Sequence, residues 1–282
     1  MSWLITGSQK VNWDPSRITT ALWLDAADAS TVTTVSGAVS QWNDKSGNGR
    51  NASQATAGNR PTYTSAGQNN LNVLTLDGSN DSLALAANLG ITTAHSIFVA
   101  AKNSATITAA TSAQALLSGD GYTYPSTTTS DLILGAGSLT GNLTNERLFS
   151  LAVAESTPGA QVYGYGKTDA DVSGGFFLSS AFTTTDNAFT GRLNGSSSFA
   201  TVSVGGDYSS TNTRYPSTVR GIGFRFVNSS LFWNGQLWEI IVAPSYLSLD
   251  ATQRIEGYLA HKWALTANLP ADHPYKVNPP AP

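Results

Sequence analysis

Short runs of β-branched and aromatic residues recur along the whole sequence, and turn-forming residues separate them. Each run is roughly four to eight residues long, which suits a strand and is too short for a typical helix. The runs predict strands at Leu22–Asp25, Val39–Trp42, Val73–Leu76, Ser82–Leu85, Ser96–Ala101, Ala115–Ser118, Asp131–Leu134, Arg147–Ala154, Gln161–Tyr165, Gly175–Leu178, Phe189–Leu193, Ala200–Val204, Gly221–Phe226 and Gln236–Val242. Many short strands separated by turns predict an all-β domain, either a sandwich or a barrel.

Three of the separating segments carry an Asp-Gly or Asn-Gly dipeptide, at Asp77-Gly78, Asn194-Gly195 and Asn234-Gly235. Both residues of such a dipeptide adopt positive φ at little cost, which suits the twist of two paired strands. Each dipeptide therefore predicts a β-hairpin.

One α-helix is predicted near the C-terminal end of the sequence. Ser248 can cap its first turn, and Asp250 favours the positive end of the helix dipole. The residues that recur at helical spacing are Ala251, Ile255, Tyr258, Leu259 and Lys262–Trp263. Gly257 weakens the helix by about 1 kcal/mol relative to Ala, so packing against the sheet must hold it.

The composition excludes several classes of function. The chain has no cysteine, which excludes disulfides, thiolate nucleophiles and Cys-ligated zinc. Its formal net charge of −3 gives no reason to expect a nucleic-acid partner. No apolar run approaches the roughly 20 residues that cross a bilayer, so membrane insertion is not expected. The first residues, Met1–Gly7, lack the basic and apolar regions of a signal peptide, so export by the ordinary secretory route is not expected.

Polar uncharged residues replace much of the charge that a typical surface carries. Charged residues make up 12% of the sequence, about half of the usual share near 25%. The 7 Trp, 10 Tyr and 10 Phe argue against disorder, because they supply apolar surface to bury. The composition therefore predicts a folded chain with a hydrogen-bonding surface, which suits sugar ligands or neighbouring subunits.

The segment 44–49 partly fits a calcium-binding loop. Loop positions 1, 3, 5 and 6 would be Asp44, Ser46, Asn48 and Gly49. Position 12 needs a bidentate Glu, but the residue there is Ala55. A turn whose Asx side chains accept hydrogen bonds from local backbone N–H groups is the preferred interpretation. The sequence therefore predicts no cofactor, and a calcium site that uses Asp44 and Asn48 is the alternative.

The order of five motifs along the chain carries a family resemblance. The motifs are Ala21–Asp28, Val39–Gly49, Leu74–Asp81, Glu239–Val242 and Arg254–Trp263. In this order they resemble the concanavalin A-like lectin/glucanase superfamily, and within it the laminin G-like jelly-roll proteins of tailed phages and prophages. The resemblance spans about residues 21–276. It implies a jelly-roll domain there, an N-terminal arm at 1–20 and a Pro-rich C-terminal arm at 277–282.

The resemblance implies a sandwich of two antiparallel sheets stacked face to face, with one short C-terminal helix. Alternate residues of a sandwich strand face the core, so several apolar residues are expected to point inward. They are Trp23, Trp42, Leu74, Leu76, Phe98, Ile222, Phe224, Ile240 and Val242.

A glycoside hydrolase of the laminarinase-like type is the enzymatic alternative within the superfamily. Hydrolysis needs two carboxyl groups flanking the scissile bond, and laminarinase-type relatives place them on one strand as alternating Glu and Asp. The glutamates are Glu146, Glu155, Glu239 and Glu256, and none has a second acid two or four residues away in a strand. Asp169 and Asp171 alternate, but the Gly and Ser residues around them indicate a loop. Glu239 is expected to make structural hydrogen bonds, and no enzymatic activity is predicted.

Sugar binding would use aromatic rings as platforms and Asn or Asp side chains as hydrogen-bonding groups. The candidate residues in loops are Asp120, Tyr122, Tyr124, Tyr163, Tyr165, Asp207, Tyr208, Asn212 and Tyr215. Packing at the sheet rim, or a contact with another subunit, is the alternative role for each aromatic ring.

The resemblance implies a non-enzymatic virion surface protein of a tailed phage, either a head decoration or fibre protein or a tail adhesin. Its expected partners are other virion proteins, further copies of itself and a host-surface glycan, with no nucleic acid. Its expected location is the virion, after assembly in the host cytoplasm.

Overall fold

A computed structural model describes residues 13–91, 94–104, 114–119, 130–136, 148–157, 160–168, 175–182, 189–197, 200–203, 219–226 and 229–282. In 130–136, 148–157, 160–168, 182, 189–190 and 200–203 the description is limited to the backbone.

The described residues form seventeen β-strands, numbered β1 to β17 in chain order. They are Leu22–Asp25, Val32–Val35, Ala38–Trp42, Ala52–Ser53, Thr62–Gln68, Leu71–Asp77, Leu83–Leu85, His95–Asn103, Gln114–Gly119, Ser130–Ala136, Leu148–Thr157, Ala160–Thr168, Phe176–Phe182, Phe189–Leu193, Ala200–Ser203, Val219–Ile222 and Asn234–Ala243. One α-helix, α1, spans Leu249–Lys262. Short 3-10 turns lie at Pro15–Arg17, Ala29–Thr31, Ala57–Asn59 and Thr266–Asn268.

The all-β prediction is confirmed, and each predicted strand coincides with an observed one. Strands β2, β4 and β5 are additional. β4 has only two residues, and β5 reads TYTSAGQ, so neither shows an apolar alternation. The strand predicted at Gly221–Phe226 ends earlier, at Ile222, because Gly223 has a φ of +79° and turns the chain.

Every pairing among the described strands is antiparallel, and β17 lies at the centre of one series. β17 pairs with β8 along one edge and with β6 and β1, in succession, along the other. β8 continues to β13 and β14. A second series runs β3, β4, β7, β16, β9, β10, β11, β12 and β15.

The two series belong to one connected, curled sheet, because β5 pairs with both β6 and β3. These pairings do not by themselves divide the strands into two stacked jelly-roll sheets, so that division stays a prediction.

Alternate residues of β8 and β17 enter two different buried clusters. The first cluster combines Ile97, Val99 and Ile240 with residues of the second series such as Trp42. The second cluster combines the opposite face, including Phe98 and Trp238, with helix α1. The strands at the centre of the first series are therefore buried on both faces.

Most of the residues that were expected to point inward do lie in the first cluster. They are Trp42, Leu74, Leu76, Ile222, Ile240 and Val242. Trp23 and Phe98 instead belong to the second cluster, on the helix side of the sheet. Phe224 is buried against Phe226 and Phe232.

The three predicted hairpins have different outcomes. Asn194-Gly195 forms the expected tight turn, with φ values of +51° and +79°, although β15 then pairs with β12. Asn234-Gly235 makes no turn and lies inside β17, because Gly235 lets the chain approach Lys102 more closely than a Cβ atom would allow. Asp77-Gly78 turns the chain, but β6 pairs with β5 and β17 while β7 pairs with β4 and β16. None of the three dipeptides therefore joins two strands that pair with each other, and only Asn194-Gly195 closes a tight turn, through the single bridge between Leu193 and Ser196.

Helix α1 begins as predicted, since the Ser248 side chain accepts a hydrogen bond from the Ala251 amide. Gly257 lies on the face that the C-terminal segment crosses, and a Cβ there would come within 2.4 Å of the Tyr275 Cβ. Gly257 therefore weakens the helix locally but allows this segment to pack closely on it. In the part of the chain that the structure describes, no helix has the length and apolar character needed to cross a bilayer.

Candidate functional site

The carboxylate of Glu239 lies where β17, β1 and α1 meet, and it is fully buried. Its Oε1 atom accepts hydrogen bonds from the Trp23 indole at 2.8 Å and the Tyr258 hydroxyl at 2.9 Å. Its Oε2 atom accepts from Lys262 Nζ at 2.8 Å and the Trp263 indole at 3.0 Å. Four donors, one from β1 and three from α1 and the residue that follows it, therefore converge on one carboxylate.

A second carboxylate, that of Asp25, lies beside Glu239. The two residues are direct partners in the register between β1 and β17. Lys262 Nζ bridges them, at 2.6 Å from Asp25 Oδ1 and 2.8 Å from Glu239 Oε2. Lys45 contacts the other Asp25 oxygen at 3.0 Å and Asp28 at 2.8 Å. These five residues form a chain of alternating charges, which we call the Glu239 cluster.

Burial raises the pKa of the Glu239 carboxyl; Lys262 opposes this rise, and the charge of Asp25 adds to it. Burial and the nearby Glu239 charge raise the pKa of the Tyr258 hydroxyl well above 10. At the exposed end of the cluster, the hydrogen bond from Lys45 lowers the pKa of Asp28 to about 2. Burial lowers the pKa of Lys45, but its contacts with Asp28 and Asp25 outweigh burial and raise it. The ion pairs therefore outweigh burial at Lys45 and Asp28, whereas burial dominates at Glu239.

Asp25 and Glu239 are close enough to be compared with the carboxylate pair of a glycosidase. In such an enzyme one acid donates a proton to the leaving group while the other attacks or activates water. Here a lysine lies between the two acids, and the Glu239 oxygens are surrounded by indole, hydroxyl and ammonium donors. This arrangement joins β1, β17 and α1, and Glu239 makes the structural hydrogen bonds that the sequence analysis expected.

A second buried carboxylate, Glu256 of α1, anchors the middle of the helix. It accepts hydrogen bonds from Ser179 at 2.8 Å, from Arg192 at 2.7 and 3.2 Å, and from His273 at 3.2 Å. Burial raises the pKa of Glu256, but the bonds from His273, Arg192 and Ser179 outweigh burial and lower it. Glu256 therefore binds α1 to β13, β14 and the C-terminal segment.

The loop with the partial calcium pattern covers the outer edge of β1. Asp44 Oδ1 accepts from the amides of Trp23 at 3.0 Å and Ser46 at 2.9 Å. Asp44 Oδ2 accepts from the Ser46 hydroxyl at 2.7 Å and the Arg50 amide at 3.0 Å. The Lys45 amide completes the edge by donating to the Trp23 carbonyl at 2.7 Å.

The other predicted calcium ligand, Asn48, also bonds to the chain itself. Its side-chain nitrogen donates to the carbonyls of Thr20 at 3.0 Å and Ala21 at 3.2 Å. Both Asp44 oxygens accept two hydrogen bonds each, and the bond from the Ser46 amide is that of an Asx turn. The calcium alternative at Asp44 and Asn48 stays a prediction. Among the described residues, no group of three or more His, Asp or Glu side chains is arranged to hold a metal ion.

The predicted sugar-contact residues are not tested by this structure. Asp120, Tyr122, Tyr124, Asp207, Tyr208, Asn212 and Tyr215 lie outside the described residues. Tyr163 and Tyr165 lie in β12, whose side chains are outside the description. Their contact with sugar remains a prediction.

Asp25 and the two lysines of the Glu239 cluster were not among the site residues predicted from the sequence. Spacing along one strand cannot reveal Asp25, because it faces Glu239 across a strand pair and is distant in sequence. A signal is nevertheless present, since each acid interrupts an apolar strand close to a tryptophan, in Leu22–Asp25 and Leu237–Ile240. A charged residue in a strand that is buried on both faces needs a partner.

No known family model and no curated protein sequence matches this chain. Its fold is similar to that of several solved structures. An arabinofuranosidase complexed with arabinofuranosyl-α-1,2-xylobiose gives a TM-score of 0.54 at 15% identity, over 86% of this chain and 59% of that one. A structure of botulinum neurotoxin type C gives a TM-score of 0.52 at 13% identity, over 86% of this chain and 51% of that one. The cell entry of that toxin depends on interaction with two ganglioside molecules.

Domain 4 of AbnA, an extracellular arabinanase from Geobacillus stearothermophilus in complex with arabinotriose, gives a TM-score of 0.50 at 12% identity, over 82% of this chain and 95% of that one. The chain thus spans about 60% of the arabinofuranosidase chains and nearly all of the arabinanase domain. At these identities the likeness shows the fold: an all-β domain of a kind that occurs in carbohydrate-active and carbohydrate-binding proteins.

Proposed function

We propose that this chain is a non-enzymatic, glycan-binding surface module of a tailed-phage particle, built as a laminin G-like jelly roll. The observation that carries the non-enzymatic part is the Glu239 cluster. Lys262 bridges Asp25 and Glu239, and both Glu239 oxygens accept hydrogen bonds from the chain itself. A glycosidase acid must be able to reach the glycosidic oxygen or a water molecule. At Glu239 the hydrogen-bond donors of the chain occupy the positions that a substrate or water would need.

Glycan binding is supported by the fold. Three similar structures are described with arabinose-containing ligands or gangliosides, although they differ in whether the whole protein is an enzyme. The low charge and the abundance of Ser, Thr, Asn and Tyr supply the hydroxyl, amide and ring contacts that sugars need. The particle role is supported by the order of motifs between residues 21 and 276.

Within a particle, two roles are proposed: head decoration or fibre protein, and tail adhesin. Both use the jelly roll to dock on other virion proteins and further copies of the chain, since particle proteins follow the symmetry on which they sit. Immunogold labelling of purified particles separates the two roles. Label on heads supports decoration, label on tails supports an adhesin, and a preparation without label on particles contradicts the virion proposal.

A glycan array tests the binding proposal directly. The folded chain is expected to retain glycan with a millimolar or lower dissociation constant, and absence of binding at millimolar sugar would remove the glycan-binding role. The arabinofuranosidase likeness keeps a glycoside hydrolase as the second candidate. Release of reducing ends from a bound polysaccharide, abolished by one Asp or Glu substitution in a folded variant, would establish the hydrolase instead.

A further inference from the structure

The Glu239 cluster brings one amine and two carboxyl groups into contact inside the fold. Lys262 Nζ lies 2.6 Å from Asp25 Oδ1 and 2.8 Å from Glu239 Oε2. The Glu239 side chain is fully buried, and only 6% of the Asp25 side chain and 16% of the Lys262 side chain are exposed. Two acids therefore share one ammonium in a region from which most water is excluded.

Three separate elements hold the three groups. Asp25 ends β1 and Glu239 lies in β17, where the two residues are direct partners in register. Directly opposed side chains of an antiparallel pair project from the same face of the sheet. Lys262 is the last residue of α1, and α1 packs on that face. The contact is therefore set by the fold and not by a chance approach of surface side chains.

Aromatic side chains enclose the shared ammonium. The buried indoles of Trp23 and Trp263 donate to Glu239 at 2.8 and 3.0 Å. The Tyr258 hydroxyl accepts from Lys262 at 3.0 Å and donates to Glu239 at 2.9 Å. These donors fix the Glu239 carboxyl beside the lysine nitrogen, at the distance over which a proton can pass between them.

The second oxygen of Asp25 meets a different cation. Lys45 Nζ lies 3.0 Å from Asp25 Oδ2 and 2.8 Å from Asp28, while the Ala27 amide donates to Asp25 Oδ1 at 3.1 Å. The contacts with Asp28 and Asp25 raise the pKa of Lys45 despite its burial, so this ammonium keeps its charge. A fixed positive charge at a carboxyl oxygen stabilises the negative charge that develops there when the carboxyl carbon is attacked.

We infer that Lys262 and Asp25 join in an intramolecular isopeptide bond, an amide between their side chains, and that Glu239 carries protons during its formation. Asp25 is the acid that is attacked, because its second oxygen faces the Lys45 ammonium. Holding amine and carboxyl in contact supplies the proximity that such a reaction needs. The inference goes beyond the proposed function and does not depend on glycan binding.

The reaction balances as the loss of one water molecule. It starts with Glu239 protonated, and the Lys262 ammonium passes one proton to Asp25 Oδ1. The neutral amine then forms a C–N bond to Asp25 Cγ, while an electron pair of the carbonyl moves to Oδ2 beside Lys45. Glu239 gives its proton to the Oδ1 hydroxyl, which leaves as water as the C=O bond re-forms at Oδ2. The nitrogen returns a proton to Glu239, and a neutral amide remains.

The need for a protonated Glu239 makes the reaction depend on pH. Burial and the charge of Asp25 raise the pKa of the Glu239 carboxyl, against the effect of Lys262. Glu239 therefore gains its proton at a higher pH than an ordinary carboxyl does. At pH 8 two carboxylates hold Lys262 as an ammonium, so the bond is expected to form slowly there and faster in mild acid.

The bond would close most of the chain into one covalent loop. Asp25 lies in the first strand, and Lys262 ends the helix that follows the last strand. A cross-link between residues so far apart in sequence restricts the unfolded chain, so the linked form is expected to melt at a higher temperature than the ion-paired form. Unlike an ion pair, the amide also persists in acid and at high salt.

The test is the intact mass of the denatured full chain, followed over several days at pH 5 and pH 8. The parent chain is expected to lose the mass of one water molecule, about tenfold faster at pH 5. Trypsin locates the bond, because it does not cleave after an amidated Lys262. The expected product joins the peptide Ile18–Lys45 to the peptide Ile255–Lys276. Freshly prepared chain of full mass is the ion-paired form, and stability measurements on the ion pairs use that form.

Matched variants separate the reacting lysine from its neighbour. Lys262→Arg keeps a positive charge between the acids but removes the amine, and is expected to abolish the mass loss. Lys45→Arg makes the same change at the other cation of Asp25 and is expected to retain it. Glu239→Gln is expected to slow the reaction about a hundredfold or more, the loss typical of a general acid–base group. Asp25→Asn is expected to lose ammonia in place of water. Circular dichroism and the melting temperature establish that each variant is folded.

Three results would overturn the inference. The first is a folded parent chain that keeps its full mass at both pH values. The second is a water loss confined to one peptide, as a cyclic imide at Asp77-Gly78 would give. The third is a product that joins Ile255–Lys276 to Phe226–Arg254, because the bond would then lie at Glu239. Each of these results leaves the glycan-binding proposal standing.

Discussion

Two fully buried carboxylates hold α1 against the sheet, and their surroundings differ. Glu239 projects from β17 beside a second acid, Asp25, and the two share the ammonium of Lys262. Glu256 projects from α1 itself and meets Arg192 and His273, with no second acid among its hydrogen-bonding partners. Burial raises the pKa of Glu239, whereas the hydrogen bonds at Glu256 outweigh burial and lower its pKa.

Burial alone therefore does not determine the role of a carboxylate. A buried acid with a raised pKa beside another acid is the pattern that commonly marks a catalytic pair. At Glu239 each oxygen already accepts two hydrogen bonds from the chain, which supports the proposal that this acid has a structural role. The hydrogen-bonding partners of a buried acid, more than its pKa, indicate whether its role is structural or catalytic.

The largest effect is expected from removing the Glu239 carboxylate. Glu239→Ala leaves the indoles of Trp23 and Trp263 without their acceptor and leaves Lys262 with one acid in place of two. Breaking a buried ion pair in this way costs about 3–5 kcal/mol. Urea unfolding at neutral pH measures the loss.

Asp250→Ala is the matched control, because Asp250 pairs with Arg254 on the exposed face of the same helix at 3.2 Å. An exposed pair of this kind contributes about 0.5 kcal/mol. A loss from Glu239→Ala as small as the loss from Asp250→Ala would show that the Glu239 cluster does not hold the helix.

The next prediction compares the loss of stability caused by glutamine at Glu256 and at Glu239. Glu256→Gln is expected to cost about 2–3 kcal/mol, since its four hydrogen bonds favour the charged form. Glu239→Gln is expected to cost less, because removing its charge relieves competition with Asp25 for Lys262. Equal losses in urea unfolding, or the reverse order, would contradict the contrast between the sites.

The pH dependence of Glu256 follows from its lowered pKa. The folded state binds this proton more weakly than the unfolded state, whose carboxyl has the ordinary value of 4.5. The stabilisation is therefore complete above pH 4.5 and is lost as the pH falls below it. Unfolding curves of Glu256→Gln should accordingly approach those of the parent chain in acid.

A smaller loss is expected from adding one methyl group where the C-terminal segment crosses the helix. Gly257→Ala places a Cβ 2.4 Å from the Tyr275 Cβ, so the segment that carries His273 must move away from Glu256. Crowding of this kind costs about 1–3 kcal/mol, partly offset by the helix preference of Ala, about 1 kcal/mol. Thermal unfolding measures the net effect.

Tyr275→Gly in the same chain is the control for the Gly257 prediction. It removes both the Cβ and the ring that would clash, so adding Gly257→Ala to it is expected to be neutral or stabilising. If Gly257→Ala stabilises the parent chain as well, the close packing of Tyr275 on the helix does not restrain the segment.

The smallest expected effect is an increase in stability, from a substitution in the turn after β6. Burial and the charge of Asp77 raise the pKa of Asp81 from 3.8 to about 6. The contribution of the protonated Asp81 carboxyl to the stability of the fold is thus complete below pH 3.8 and is lost as the pH rises through about 6. Asp81→Asn is therefore expected to stabilise the chain by about 1 kcal/mol at pH 8 and to have little effect near pH 4.

Asp77→Asn is the contrasting variant for this turn. Asp77 accepts hydrogen bonds from the amides of Ser79, Asn80 and Asp81, which lower its pKa against the effect of burial. Its substitution is expected to destabilise the chain at neutral pH. If both variants shift the melting temperature in the same direction, the two acids do not play different roles in the turn.

Local signals predicted the strands better than they predicted the partners of those strands. Leu22–Asp25 and Phe189–Leu193 have their predicted bounds, because β-branched and aromatic runs favour strands wherever they pair. Asn234-Gly235 shows the limit. The dipeptide suits a turn, but its contact with β8 is decided by Lys102, which is distant in sequence.

The site shows the same limit more strongly. The sequence analysis placed Glu239 in a strand and assigned it structural hydrogen bonds, but the identity of its partners depends on β1 and α1 meeting in space. The packing of Phe224 against Phe226 and Phe232 was likewise hidden, because Phe226 was predicted to lie in a strand and the turn at Gly223 could not be inferred from spacing alone.

We propose that the Asp25 and Glu239 pair has a structural role and that glycan binds on the surface of the chain. Both proposals are tested by following bound glycan and reducing ends together over time, in the parent chain, Asp25→Asn and Glu239→Gln, with folding checked in each. All folded forms are expected to bind glycan, and none is expected to release reducing ends above a protein-free control. Release by the parent chain that either substitution abolishes, while its melting curve shows a folded protein, would show that the pair is catalytic.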